Sequence, residues 1–110
     1  MITVRSEREQ DIEAVRCVNE QAFGAPAEAC LIDLLRFGGK LVVSLVAESD
    51  GRIVGHIAFS RVRMASNPEL QGVVLGPMAV LPAMQPRGIG SMLVRAGLDL
   101  CRHTGYDYTV

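Results

Sequence analysis

VVLGPMAVLPAMQPRGIGSMLVRAGLDLCRHT, residues Val73–Thr104, is the stretch that decides the fold. It predicts a strand, a connection over Leu81–Arg87 and a helix that begins at Gly88. Apolar residues recur through this helix with a period of about 3.6, as in an amphipathic helix with one face on a core. That face comprises Ile89, Met92, Leu93, Ala96, Gly97, Leu100 and Cys101. Arg95 and Asp99 lie on the opposite face, where we expect a weak ion pair.

The first turn of this helix indicates a binding site. The first turn of any helix has free N–H groups, and a Ser, Thr, Asp or Asn cap usually accepts from one of them. None of Gln85, Pro86 and Arg87 is a good cap. Gly88 and Gly90 allow a ligand to approach the main chain closely, and Arg87 adds positive charge. These features favour a phosphate-bearing ligand, although Gly-x-Gly is common in loops and water also satisfies free donors.

Two familiar phosphate-binding motifs do not fit the same residues. A P-loop needs Lys and then Ser or Thr directly after its last glycine, and no lysine follows Gly88. A dinucleotide fingerprint needs a third small residue where this sequence has Leu93, and a tight turn directly after the strand.

A third pattern does fit. Gln85-Pro86-Arg87-Gly88-Ile89-Gly90 is similar to the Q/R-x-x-G-x-G/A signature of the GNAT superfamily of N-acetyltransferases. The preceding Gly76–Pro82 resembles the strand-then-proline approach of those enzymes, and the order of elements is similar along nearly the whole chain. The resemblance implies one GNAT-like domain over residues 1–110, with an acyl-CoA N-acyltransferase-like fold that is short at its C-terminus.

The remaining sequence predicts a three-layer α/β/α domain with a mixed sheet. The predicted strands and helices before the deciding stretch are Met1–Arg5, Glu9–Phe23 (helix), Ala27–Phe37 (helix), Leu41–Glu48 and Arg52–Val62. Asp50-Gly51 is a hairpin signal, Met64–Gln71 is expected to be a loop, and Tyr106–Val110 is expected to be the last strand. The second helix is expected to bury one stripe: Ala27, Cys30, Leu31, Leu34 and Leu35.

Pro77 allows two interpretations. A proline cannot donate to a ladder, so it marks either a bulge within the strand or a strand that begins after it. The resemblance favours the bulge and implies that this strand splays from Tyr106–Val110. The main chain of Met78–Val80 would then be free to pair with an extended ligand.

The resemblance also implies the reaction. We expect transfer of an acetyl group from acetyl-CoA to a primary amine by direct attack, on a small-molecule or peptide acceptor that the sequence does not identify. The expected coenzyme-binding residues are Met78, Ala79, Val80, Gln85, Pro86, Arg87, Gly88, Ile89, Gly90 and Ser91. The alternative is a non-catalytic half-domain that binds CoA, or an interaction module with the same core.

The sequence assigns no catalytic base. His56 could be neutral near pH 7 and act as a base, but a lone histidine in a strand that looks buried is more often structural. Glu48 is expected to be solvated, and His103 to make a favourable contact at a helix C-terminus.

Composition narrows the remaining possibilities. The 110 residues carry a formal net charge of −1 without a basic stripe, which argues against nucleic acid. No signal peptide or membrane-spanning run is evident, so we expect a cytoplasmic protein with no membrane partner. The spacing of Cys17, Cys30 and Cys101 argues against a disulfide framework or metal site, and all three are expected in the core. The chain is either naturally short or truncated, and its open last strand predicts a homo-oligomer.

Overall fold

A computed structural model describes all 110 residues. The strands are β1 (Ile2–Ser6), β2 (Leu41–Ser49), β3 (Arg52–Met64), β4 (Asn67–Val80) and β5 (Tyr108–Thr109). The helices are α1 (Ile12–Phe23), α2 (Ala27–Phe37) and α3 (Ile89–His103), with 3-10 turns at Glu9–Asp11 and Pro82–Arg87. Every predicted helix and strand is present, and β5 is shorter than predicted.

The five strands form one mixed sheet in the order β1-β2-β3-β4-β5. The first four strands pair antiparallel, and β4 pairs parallel with β5 through the crossover helix α3. The predicted mixed sheet is therefore confirmed.

Helices cover both faces of the sheet. Neighbouring residues of a strand point to opposite faces, so each face presents its own side chains to a helix. In β3, Phe59 packs against Gly97 of α3, whereas His56 lies beside Asn19 of α1. The main core cluster comprises Val18, Val43, Leu45, Ala47, Val54, Ile57, Phe59, Val73, Ala79, Val80, Leu81, Ile89, Leu93 and Cys101. The sheet thus forms the middle layer of the three-layer domain.

Helix α2 differs from its prediction. It buries Ala29 and Ile32, whereas Leu31, Leu34 and Phe37 of its apolar residues are 45%, 70% and 83% exposed. The predicted stripe therefore does not face the core.

Ion pairs explain which face of α2 points inward. Arg36 contacts Glu7 at 2.6 Å and Asp33 at 2.7 Å, and Asp33 also pairs with Arg16 of α1. These charged groups tie the Ala29–Arg36 side of the helix to α1 and to the end of β1, which leaves the leucines outside.

Two further predictions are wrong. Met64–Gln71 is not a loop: β3 extends to Met64 and β4 begins at Asn67, so the two strands form a long hairpin with a tight turn. Cys17 and Cys30 are exposed, and of the three cysteines Cys101 alone is buried. Cys17 lies outside the buried stripe of α1, and Cys30 lies on the outward side of α2. No helix is long and apolar enough to cross a membrane.

Candidate functional site

Strand β4 is bulged immediately before its end. Ile57 of β3 pairs with Met78, and Phe59 pairs with Leu75, so one β3 residue lies opposite Gly76 and Pro77. The strand is continuous through this irregularity. The bulge interpretation of Pro77 is therefore confirmed.

The same part of β4 separates from β5. Pairing begins at Gln71 and reaches Leu75, whose N–H donates to Val110 O at 3.1 Å. Beyond the bulge, the residues of β4 pair with β3 alone. The far end of β4 therefore forms one side of a wedge.

The main chain of Val80 faces this wedge. Leu81 N–H donates to Val54 O of β3 at 2.9 Å. Because the polar groups of successive strand residues alternate in direction, Val80 N–H and C=O point away from β3. The same alternation directs the polar groups of Met78 into the wedge and those of Ala79 towards β3.

Gln85 connects the wedge to the turn before α3. Its Nε2 donates to Val80 O at 3.2 Å, across the Pro82–Arg87 turn. This contact satisfies the Val80 carbonyl and leaves the Val80 N–H as the polar group that faces the open side.

Helix α3 begins without a side-chain cap. Gly88 adopts a left-handed conformation with φ of 73°, which favours glycine, and no side chain accepts from the first turn. The helical ladder begins where Met92 N–H donates to Gly88 O at 3.2 Å. The N–H groups of Ile89, Gly90 and Ser91 therefore lack helical acceptors, as the sequence predicts.

A cavity of about 440 Å³ lies between the end of β4 and the start of α3. Its lining residues are Met78, Gln85, Gly88, Gly90, Ser91, Val94 and Arg95. A Cβ placed on Gly90 would lie 3.3 Å from Met78 Cε, so the glycine keeps this part of the cavity open. The arrangement suits an extended anionic ligand, with its charge at the helix and its chain along the strand.

Five of the ten predicted site residues line this cavity. Of the other five, Ile89, Ala79 and Val80 have buried side chains, whereas Pro86 and Arg87 are exposed and lie outside the lining. Those five can act only through their main chain or from outside the cavity.

Sequence reasoning missed Val94 and Arg95. They follow Ser91 by three and four residues, a spacing that places all three on one helix face. This spacing is the sequence signal that could have identified them as cavity residues. The expected pair between Arg95 and Asp99 is absent, because Asp99 instead lies 3.7 Å from Arg102. Arg95 forms no ion pair.

His56 is structural. Its side chain is fully buried on the α1 face of the sheet, away from the cavity. Asn19 Nδ2 donates to Val15 O and lies 3.3 Å from His56 Nδ1, which must therefore accept; Nε2 then donates to Ser44 Oγ at 2.8 Å. Burial, together with the positive charge of Arg36, lowers the pKa of His56 to about 3. This imidazole cannot serve as the base near pH 7.

Glu48 and His103, the two other residues considered as acid–base groups, also have partners within the protein. Glu48 accepts from Arg5 Nε at 2.9 Å, so the expectation that it is simply solvated is wrong. His103 Nδ1 lies 2.7 Å from the Asp99 carbonyl at the end of α3, the predicted favourable contact. No group of three or more His, Cys, Asp or Glu side chains is placed to hold a metal ion.

Comparison with known proteins identifies the family of the chain. The model of the acetyltransferase (GNAT) family matches residues 8–110. Over 108 residues the chain is 35% identical to the uncharacterized N-acetyltransferase YhbS of Escherichia coli K12, covering 97% of this chain and 64% of YhbS. The chain therefore spans just under two thirds of that relative.

Two solved structures share the fold. One is a GNAT family acetyltransferase from Brucella melitensis in complex with acetyl-CoA, with a TM-score of 0.90 and 41% identity over 96% of this chain and 71% of that chain. The other is YhbS from Escherichia coli in complex with CoA, with a TM-score of 0.92 and 33% identity over 99% of this chain and 62% of that chain.

Proposed function

The chain belongs to the GNAT acetyltransferase family, and we propose that it binds acetyl-CoA between β4 and α3 and transfers the acetyl group to a primary amine. The mixed sheet with helices on both faces is the acyl-CoA N-acyltransferase-like fold. The observation that carries the proposal is the cavity in which an uncapped helix start meets the unpaired end of a strand. The CoA-bound structures of the two relatives support it.

The start of α3 supplies the binding energy for phosphate. Free N–H groups at Ile89, Gly90 and Ser91 point out of the helix end, where its dipole is positive. Gly88 and Gly90 remove the side chains that would keep an anion away from the main chain. These residues are the proposed diphosphate site. Gln85 and Pro86 belong to the turn that leads into it, and Arg87 adds positive charge from outside the cavity.

The end of β4 supplies the remaining contacts. Met78 turns its main-chain N–H and C=O into the wedge and Val80 its N–H, so they can pair with the amide-bearing arm of the coenzyme as an added strand would. Ala79 holds the segment to β3 between them. Val80 N–H is then available to stabilise the oxyanion that forms when an amine attacks the thioester carbonyl.

The proposed reaction is a direct displacement. The amine nitrogen forms a bond to the thioester carbon, the carbon–sulfur bond breaks, and the thiolate leaves and takes up a proton. The amine must lose a proton before or during attack. We assign this task to no residue, since His56 is buried on the other face of the sheet.

The residues of the cavity wall also favour a second function, binding of CoA without catalysis. None of the seven lining residues is a carboxylate, imidazole or phenol, so the wall holds no side chain suited to general acid–base work. A domain that binds CoA without turnover would have this wall.

One assay separates these functions. The purified chain is mixed with acetyl-CoA and a panel of small-molecule and peptide amines, and free thiol is followed. We expect thiol release that depends on the amine and is weakened in Gly90→Gln, whose side chain enters the cavity. Coenzyme binding without any amine-dependent release would favour the non-catalytic function.

We also infer that residues 1–110 form a single domain, located in the cytoplasm, that associates with itself through the unpaired edge of β5. Support comes from the sheet order, in which β5 is an outer strand. Light scattering should give a mass above that of one chain at micromolar concentration, and a strictly monomeric mass would contradict the association.

A further inference from the structure

Arg95 is the only charged side chain among the seven that line the cavity. We propose that Arg95, rather than the motif residue Arg87, binds the diphosphate of the coenzyme. This inference rests on the proposed function, because it assigns a residue to the anion at the same site.

The position of Arg95 on α3 suits this role. It follows Ser91 by four residues, a rise of about 6 Å along the helix axis. Side chains of a helix lean towards its N-terminus, so an extended Arg95 side chain can reach back past Ser91 towards the free N–H groups. A diphosphate at those N–H groups therefore lies within reach of an extended arginine.

Arg95 is also free to bind. Asp99, its expected partner, lies beside Arg102, and none of the ion pairs includes Arg95. No contact has to be broken before the guanidinium binds phosphate. A planar guanidinium can donate two parallel hydrogen bonds to phosphate oxygens, which makes such pairs strong and directional.

Arg87 is placed differently. Both arginines are exposed and Arg95 lines the cavity, but Arg87 ends the 3-10 turn before Gly88 and does not line it. Its charge acts on a ligand through solvent, where ions screen it over roughly 8–10 Å. Its contribution to binding should be small and mostly electrostatic at long range.

The test compares three matched variants: Arg95→Gln, Arg87→Gln and, as a control at the far end of the same helix, Arg102→Gln. Calorimetry measures the affinity of each for CoA and for dephospho-CoA, which keeps the diphosphate but lacks the ribose 3′-phosphate. In parallel, ¹⁵N NMR follows the amide signals of Gly88–Ser91 while inorganic diphosphate is added.

We expect Arg95→Gln to weaken CoA about tenfold or more, Arg87→Gln about twofold or less, and Arg102→Gln not at all. The loss in Arg95→Gln should be equal for dephospho-CoA. A loss that vanishes with dephospho-CoA would place the contact on the ribose phosphate and overturn the proposal, as would a larger loss in Arg87→Gln.

The diphosphate titration separates this inference from the proposed function. If the wild-type chain fails to bind CoA, the proposed function is rejected. Amide shifts at Gly88–Ser91 that are saturable in the wild type and reduced in Arg95→Gln would still support the role of Arg95. Shifts that are absent, or equal in both proteins, would overturn it.

Discussion

At the residue scale, the buried imidazole of His56 is held by its neighbours instead of being presented to the cavity. It accepts from Asn19 and donates to Ser44, so both ring nitrogens are occupied within the core. Such a network favours the neutral ring, because charging it would place an unsolvated cation inside the sheet.

This network predicts how stability depends on pH. The pKa of His56 is about 3 when folded, below its ordinary value of 6.5, because the ring is buried. Between these values the unfolded chain binds more protons, so the free energy of unfolding falls as pH decreases below 6.5, by up to about 1.4 kcal/mol per unit. Urea denaturation between pH 7 and 4.5 measures the slope.

One variant identifies the source of that slope. His56→Gln should flatten it, because glutamine does not titrate, although the variant is less stable than the wild type at pH 7. The chosen window stays above the range in which Asp11 matters, since ion pairing with Arg5 lowers the pKa of that carboxyl. Equal slopes in wild type and His56→Gln would contradict the account.

The motif around Gly88 shows what a sequence can predict about single residues. The glycines and the absence of a capping residue can be read directly from the sequence, and both determine which main-chain groups are accessible. Arg87 occupies a motif position, but the turn leaves it outside the cavity, whereas Arg95 reaches the lining from the next turn of the helix. The directions of these two arginine side chains depend on where the Pro82–Arg87 turn ends and α3 begins, and the sequence pattern does not determine that point.

At the element scale, helix α3 contacts strand β3 closely where Gly97 meets the ring of Phe59. A Cβ on Gly97 would overlap the ring of Phe59, so this glycine permits close approach of the helix to β3. The sequence pattern predicts the helix, and Ile89, Leu93 and Cys101 of its predicted stripe are buried, whereas Met92 and Leu100 of that stripe are exposed, so the buried face is narrower than predicted. The pattern does not reveal that the aromatic partner of Gly97 is on β3.

Gly97→Ala should therefore destabilise the protein. The overlap with the Phe59 ring is severe, so we expect a cost near the upper end of the overpacking range, about 3 kcal/mol, which outweighs the gain in helix propensity of about 1 kcal/mol. The matched control is Gly90→Ala in the same helix, where the added carbon meets only the flexible end of Met78 and stability should be unchanged or slightly higher. Chemical denaturation measures both, and equal stability of the two variants would contradict the predicted packing.

For helix α2, the sequence pattern predicts the correct residues for the helix but the wrong face towards the core. Its apolar residues occupy more than one side, so the helical period identifies a stripe without deciding whether that stripe faces inward. The orientation depends on Arg36, which reaches Glu7 from 29 positions further along the chain. Pairs so distant in sequence leave no local signal.

At the scale of the whole molecule, the order of elements and the mixed sheet follow from local patterns. The long β3–β4 hairpin does not, because Asn67-Pro68 resembles a loop. Proline is tolerated there because Pro68 is the second residue of β4, before the residues that pair with β5 begin at Gln71. The absence of a neighbouring strand is a property of the folded sheet.

The site likewise depends on the whole molecule. The bulge at Gly76–Pro77 and the separation of β5 from β4 open the wedge, and α3 closes it at the uncapped end. Local reasoning predicted the bulge as one of two alternatives and the helix start directly. Their meeting in one cavity was implied by the family resemblance, since it requires the right-handed crossover between two parallel strands.

The most direct test of the central claim is calorimetric titration of the folded chain with acetyl-CoA, alongside Gly90→Gln. If the free amides at the start of α3 and the unpaired end of β4 form the coenzyme site, the wild-type chain binds saturably, and the variant binds at least about tenfold more weakly while its thermal unfolding changes little. No binding by the folded wild-type chain at millimolar acetyl-CoA, or equal affinity in both proteins, would contradict the account.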